Sequence, residues 1–272
     1  MTHRQAGRET TGSTAQRTSL FDLTGHVAAV VGGGGVLGGA LCDGLGSAGA
    51  KVAVLDRTAD NAQARAAALA EAGIESTAIQ VDARDRASVE AALRSAQERL
   101  GPVDILVNAA GINSSTPFFE IDLEEWHDIL DTNLTSCLLC CQVFGRAMVE
   151  RDRGGTIINI SSASSEIPLS RVLAYSVSKA GVNILTRYLA RELAPHRIRV
   201  NALIPGFFPA AQNKKLLSPA RIESILARTP LARLGEPHEL VGAAIWLASE
   251  RASGFVTGSL VTVDGGFLST SI

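Results

Sequence analysis

Residues 30–40 read VVGGGGVLGGA, six glycines in eleven positions, set between an apolar run and an Ala- and Leu-containing stretch. Such a segment is either a flexible low-complexity loop or the turn that carries a strand into a helix around a phosphate. Its flanks decide between the two. HVAAVVG (26–32) is a short β-branched apolar run without polar alternation, the pattern of a strand covered on both faces. Six more runs of this type follow: KVAVLD (51–56), STAIQVD (76–82), VDILVNAAG (103–111), GTIINIS (155–161), IRVNALIPG (198–206) and LVTVDGG (260–266). Between them, segments 59–72, 86–100, 124–150 and 173–194 carry charges at helical spacing. Strand and helix alternating this often predict an α/β protein: a single-domain Rossmann fold with a doubly wound, seven-stranded parallel sheet and helices on both faces.

In that setting the glycines lie after the first strand and open the first helix, where a dinucleotide pyrophosphate sits. Gly33, Gly35 and Gly38 spell G-x-G-x-x-G. Asp56 ends the next strand, about 20 residues further on, where a carboxylate accepts hydrogen bonds from the adenosine ribose. The loop reads as a cofactor cradle.

A second constellation is Tyr175-Ser176-Val177-Ser178-Lys179. Tyr175 and Lys179 are four residues apart and share a helix face. An ammonium close to a phenol favours the phenolate, which makes the tyrosine usable as a general acid or base. Ser162 stands at the end of the fifth predicted strand. In an open α/β sheet, ligands lie outside the carboxyl ends of the strands, so this hydroxyl is placed to hydrogen-bond a substrate oxygen.

Bulk properties exclude several classes. The chain has 272 residues, is 46% hydrophobic and carries a formal net charge of −2, which offers no electrostatic footprint for nucleic acid or an anionic membrane. No apolar run reaches about 18 residues, so no membrane-spanning helix is expected. Cys42, Cys137, Cys140 and Cys141 lack a second ligand pair at metal spacing and read as buried thiols in a reducing compartment. Residues 1–20 are polar and without an apolar core, which excludes a secretory signal. They are expected to be a disordered tail, with 21–272 forming one domain that holds cofactor and substrate sites together, in a cytoplasmic protein.

Taken together, these motifs resemble the short-chain dehydrogenase/reductase family over about residues 21–268. The matching pieces are the glycine turn, Asp82 after the third strand, Asn108-Ala109-Ala110-Gly111 after the fourth, Asn133, Ser162, Tyr175 with Lys179, and Pro205-Gly206. The resemblance implies hydride transfer between a nicotinamide cofactor and a secondary alcohol or ketone. It implies that Tyr175 donates or accepts the proton and that Lys179 holds the nicotinamide ribose and lowers the tyrosine pKa. Ser162 would polarise the reacting oxygen, and Asn133 would hold a proton-relaying water. The cofactor would rest on Gly32, Gly34, Gly35, Val36, Leu37, Gly38, Asp56, Arg57, Asp82, Ala83, Asn108 to Gly111, Tyr175, Lys179, Pro205, Gly206 and Phe208. Two positions depart from the family pattern: Val36 replaces the middle glycine of the turn, and Ala210 replaces a threonine that contacts the carboxamide. The extra glycines at 33 to 35 are expected to supply the latitude that Val36 removes.

Asp56 would repel a 2′-phosphate, which favours NAD, whereas Arg57 could pair with one, which keeps NADP as the second candidate. The turn, the segment PGFF…QNKKLL and TPLARLGEPHELVGAAIWLAS resemble most the D-mannonate oxidoreductase (fructuronate reductase) subgroup. That resemblance implies a sugar acid or polyol as substrate, with Asn113, Arg171, Gln212, Asn213 and Lys214 as candidate contacts; Lys214 could hold a carboxylate as a point charge. A reductase of another ketone such as a 3-ketoacyl thioester, or a non-catalytic dinucleotide sensor on the same fold, is the alternative. Retention of Ser162, Tyr175 and Lys179 argues against a sensor. Apolar residues spread around segments 124–150 and 173–194, the CLLCC face included, suggest burial against a partner subunit. The resemblance implies a homodimer or homotetramer.

Overall fold

The computed structural model describes residues 19–208 and 218–270. Its seven strands are β1 (Val27–Val31), β2 (Lys51–Asp56), β3 (Ser76–Gln80), β4 (Ile105–Asn108), β5 (Gly155–Ile160), β6 (Ile198–Pro205) and β7 (Leu260–Val263). All pair in parallel, in the order β3-β2-β1-β4-β5-β6-β7. Strand order reverses between β1 and β4. The crevice beyond their carboxyl ends is therefore the switch point at which such sheets bind ligands.

Eight helices cover the two faces among the described residues. They are α1 (Val36–Ser47), α2 (Ala59–Glu71), α3 (Arg86–Leu100), α4 (Leu123–Leu130), α5 (Ser136–Arg151), α6 (Leu173–Leu193), α7 (Pro219–Arg228) and α8 (Val241–Ala248), leaving aside single-turn pieces. One core layer joins the sheet to α3, α5 and α6 through Leu93, Phe144, Met148 and Val182. The other joins it to α1, α2 and α8 through Leu41, Leu45, Leu69 and Leu247. With both faces covered, the central strands are buried at every position, as their unbroken apolar runs require.

Local chemistry sets the helix starts. Asp85 caps α3 by accepting from the Ala87 and Ser88 amides, and Asp122 caps α4 by accepting from Glu125. Ser218 caps α7, and Pro219 occupies the first helical position, where its missing N–H costs nothing.

The segment expected as one helix over 124–150 is divided. A wide π-helical turn, Asp131–Thr135, separates α4 from α5. The cause is tertiary: Asn133 turns its carboxamide out of the helix to bond distant backbone, and the extra residue in the turn accommodates it. The CLLCC expectation also changes. Cys137, Cys140 and Cys141 are buried within the core of the chain itself, against β4 and β5; burial raises the thiol pKa of Cys140, and the neighbouring Cys137 side chain, together with burial, raises that of Cys141. All four cysteines are free and buried. Among the described residues no helix is long and apolar enough to cross a membrane, and no cluster of His, Cys, Asp and Glu could hold a metal ion.

Candidate active site

The glycine turn is tight at two points. Gly32 has φ +78°, and a Cβ there would come within 2.8 Å of the Ala110 amide nitrogen at the end of β4. Gly38, one turn into α1, packs so closely on the Gly32 carbonyl that no larger residue fits without moving the loop. Gly33 and Gly34 have ordinary negative φ; they are required by close approach, to Val30 and Val54 and to Asn61 and Asp56, not by backbone latitude. Gly35 caps α1 without a side-chain hydrogen bond, so among the described residues no side chain caps the first-turn amides. Gly35, Val36 and Leu37 line the cleft there. This is the donor set a pyrophosphate fits.

The cleft continues along the carboxyl ends of the strands. Asp56 and Arg57 lie at the end of β2, Asp82 and Ala83 beyond β3, Ala109 to Gly111 beyond β4, and Pro205, Gly206 and Phe208 beyond β6. Asp56 accepts hydrogen bonds from the Gly34 amide at 3.1 Å and the Thr58 amide at 3.0 Å, which fixes its carboxylate at the turn. Arg57 is exposed at the rim. Asp82 is bound by Arg84, whose guanidinium holds the carboxyl below its ordinary pKa. Two expected cofactor residues stay out of the cleft wall. Gly34 has its N–H committed to Asp56, and Asn108 is buried with its amide donating to Asn159 at 2.9 Å.

At the far end of the cleft, Ser162 follows β5, and Tyr175 and Lys179 project from the first two turns of α6. Tyr175 and Ser162 line the same stretch of the cleft wall, and the Ser162 hydroxyl accepts from the Ser164 amide at 3.2 Å. Burial raises the Tyr175 phenol above its ordinary pKa, and the neighbouring Ser162 side chain pulls against the rise. The Lys179 ammonium lies 5.7 Å from the Tyr175 ring centroid and donates to the Ile160 carbonyl at 2.8 Å. Burial lowers it to about 8. Desolvation thus acts on both groups, raising the phenol and lowering the ammonium.

Asn133 does not reach the cleft wall. Its side-chain oxygen accepts from the Ile112 amide at 2.8 Å, and its nitrogen donates to the Ile112 carbonyl and the Ser178 hydroxyl, each at 3.0 Å. Both donors are spent. The side chain clamps the strap after Gly111 to α6 and has no donor left for a water.

Of the expected substrate contacts, Asn113 lines the cleft, while Arg171 is exposed at φ +66° and its backbone carbonyl accepts from the Thr116 amide at 3.1 Å. Gln212, Asn213, Lys214 and the departure at Ala210 lie outside the described residues. Two residues the sequence did not single out take part. Glu125 accepts from Ser114 and Thr116, each at 2.7 Å, and so holds the 112–117 strap. Arg221, from the first turn of α7, lines the recess beside Ser162 and Tyr175. The Ser-Pro signature announces the helix but not the direction its third residue faces.

An open parallel sheet with a glycine turn at its switch point, and a serine, a tyrosine and a buried lysine converging on the cleft beyond its strand ends, is the architecture of a dinucleotide-dependent oxidoreductase. A family model described as enoyl-(acyl carrier protein) reductase matches residues 35–268. The chain belongs to the short-chain dehydrogenase/reductase family, and it is an oxidoreductase that uses a nicotinamide dinucleotide. It is 39% identical to the oxidoreductase UxuB of Bacillus subtilis, over 92% of this chain and 97% of that protein. It is also 39% identical to the 5-keto-D-gluconate 5-reductase of Escherichia coli K12, over 92% and 98%. The crystal structure of a gluconate 5-dehydrogenase from Burkholderia cenocepacia, in complex with NADP and tartrate, superposes with a TM-score of 0.89 at 34% identity, covering 93% of this chain and 99% of that one.

Proposed function

We propose that this enzyme interconverts a 5-keto sugar acid and its 5-hydroxy form, with Tyr175 transferring the proton. The observation that carries the chemistry is the convergence of Ser162, Tyr175 and Lys179 on one cleft at the end of β5, with the Lys179 ammonium 5.7 Å from the Tyr175 ring centroid. The dinucleotide, when bound, supplies or accepts the hydride. In the reducing direction the carbonyl oxygen takes a hydrogen bond from Ser162 and the proton from the Tyr175 hydroxyl. Lys179, fixed by the Ile160 carbonyl, stabilises the phenolate that remains. Gly32, Gly35 to Gly38, Asp56, Asp82, Ala83, Ala109 to Gly111 and Pro205 to Phe208 would bind the dinucleotide, and Asn133 would hold the strap that shapes its floor.

The substrate class is supported by the names of two relatives, a 5-keto-D-gluconate reductase and a gluconate 5-dehydrogenase. The mannonate and fructuronate pair expected from resemblance has the same reacting groups, because fructuronate is the C2 epimer of 5-keto-D-gluconate. The relatives' names favour the gluconate member. NAD is favoured over NADP by the position of Asp56; the Burkholderia relative holds NADP, and Arg57 keeps that cofactor as the second reading.

Residues 21–272 act as one domain in this account, and the chain assembles as a homodimer or homotetramer. Exposed Phe118, Phe119 and Leu123 beside α4, and Ile184 and Tyr188 on α6, support an assembly. The test of function is NADH and NADPH oxidation by the purified protein with 5-keto-D-gluconate, fructuronate and neutral ketoses. Turnover of a 5-keto acid supports the proposal; turnover restricted to neutral ketones removes the sugar acid from it.

A further inference from the structure

Beyond Ser162 and Tyr175 the cleft narrows into a recess whose wall includes Asn113, Leu169, Phe207 and Arg221. Arg221 is the single charged residue in that wall among the described residues. It is half-buried, and one guanidinium nitrogen, Nη2, donates to the Ser170 carbonyl at 3.0 Å. No carboxylate among the described residues pairs with it. The Ser170 bond orients the planar group, and no other side-chain bond of Arg221 is made among the described residues, a preorganised fork for an anion. Across the recess, the side-chain oxygen of Asn113 is buried and accepts no hydrogen bond, an arrangement that is costly unless a ligand donates to it.

The recess thus presents three complementary features: hydroxyls for a carbonyl oxygen at Ser162 and Tyr175, an acceptor for a hydroxyl at Asn113, and a cation at Arg221. A hydroxylated keto acid supplies a match for each. We propose that Arg221 binds the carboxylate of the substrate and selects acids over neutral ketoses, with Asn113 accepting a hydrogen bond from one of its hydroxyls. This rests on the sugar-acid reading above and assigns the residue that enforces it.

The experiment compares wild type, Arg221→Gln and Arg221→Lys in steady-state reduction of 5-keto-D-gluconate and of D-fructose, with dinucleotide affinity and melting temperature as controls. Loss of a charge-assisted pair raises KM for the acid by about 10- to 100-fold in Arg221→Gln. Dinucleotide affinity, melting temperature and KM for D-fructose stay unchanged, and Arg221→Lys falls between the two. An unchanged KM for the acid in Arg221→Gln overturns the assignment while leaving the sugar-acid reading standing, as does an equal loss with both substrates. Wild-type reduction of D-fructose without reduction of any keto acid overturns both.

Discussion

The carboxylate of Asp56 accepts a hydrogen bond from the Gly34 amide at 3.1 Å, tying the last residue of β2 to the turn that follows β1. One side chain thereby does two things. It braces the phosphate loop, and it places a negative charge where the adenosine ribose of a dinucleotide lies in sheets of this type. Asp56→Asn removes the charge and keeps one acceptor oxygen, which can still take the Gly34 amide at the expense of the Thr58 bond. The ratio of kcat/KM for NADPH to that for NADH is expected to rise roughly tenfold, the equivalent of about 1.4 kcal/mol. A ratio that stays at the wild-type value contradicts the electrostatic role.

Glu125 acts at a distance from the reacting atoms. Its two oxygens hold Ser114 and Thr116, so the strap that carries Asn113 depends on it. In Glu125→Ala both bonds are lost, and KM for the keto substrate is expected to rise several-fold, on the scale of one or two hydrogen bonds of about 1 kcal/mol each. Dinucleotide affinity, measured by quenching of intrinsic fluorescence, is expected to hold. A fall in dinucleotide affinity of the same size would show that the strap serves the cofactor instead.

Burial lowers Lys179 to about 8 from an ordinary value of 10.5. Between those values the unfolded chain binds more protons at this residue than the folded chain does, so stability rises with pH across the interval. The contribution is full above about 10.5 and is lost as the pH falls through about 8; its size is at most roughly 3 kcal/mol. Lys179→Met removes the titration. The melting temperature of wild type relative to this variant is expected to increase from pH 8 to pH 10, and a flat difference would mean that the ammonium is well solvated.

Much of this architecture is legible in the sequence. The seven strands fall within a few residues of the β-branched runs, because burial on both faces leaves no polar alternation to blur them. Strand-end position marks Ser162 and helical spacing pairs Tyr175 with Lys179, both local signals. What escaped is long-range. The carboxamide of Asn133 bonds Ile112, 21 positions away, and the helix opens around it, which no periodicity announces. The CLLCC cysteines face inward because α5 packs on β4 and β5, a choice of face that an apolar helix leaves open. Arg221 reaches the site from α7, whose cap and proline fix where it starts but not where it points.

The mechanism turns on the Tyr175 hydroxyl moving the proton. Turnover of 5-keto-D-gluconate with NADH or NADPH by wild type and Tyr175→Phe tests it directly, with dinucleotide binding measured in parallel. General acid catalysis of this kind contributes about 10²- to 10⁴-fold, so the variant is expected to bind the dinucleotide normally and to lose turnover on at least that scale. A Tyr175→Phe enzyme that reduces the keto acid at the wild-type rate would contradict the account.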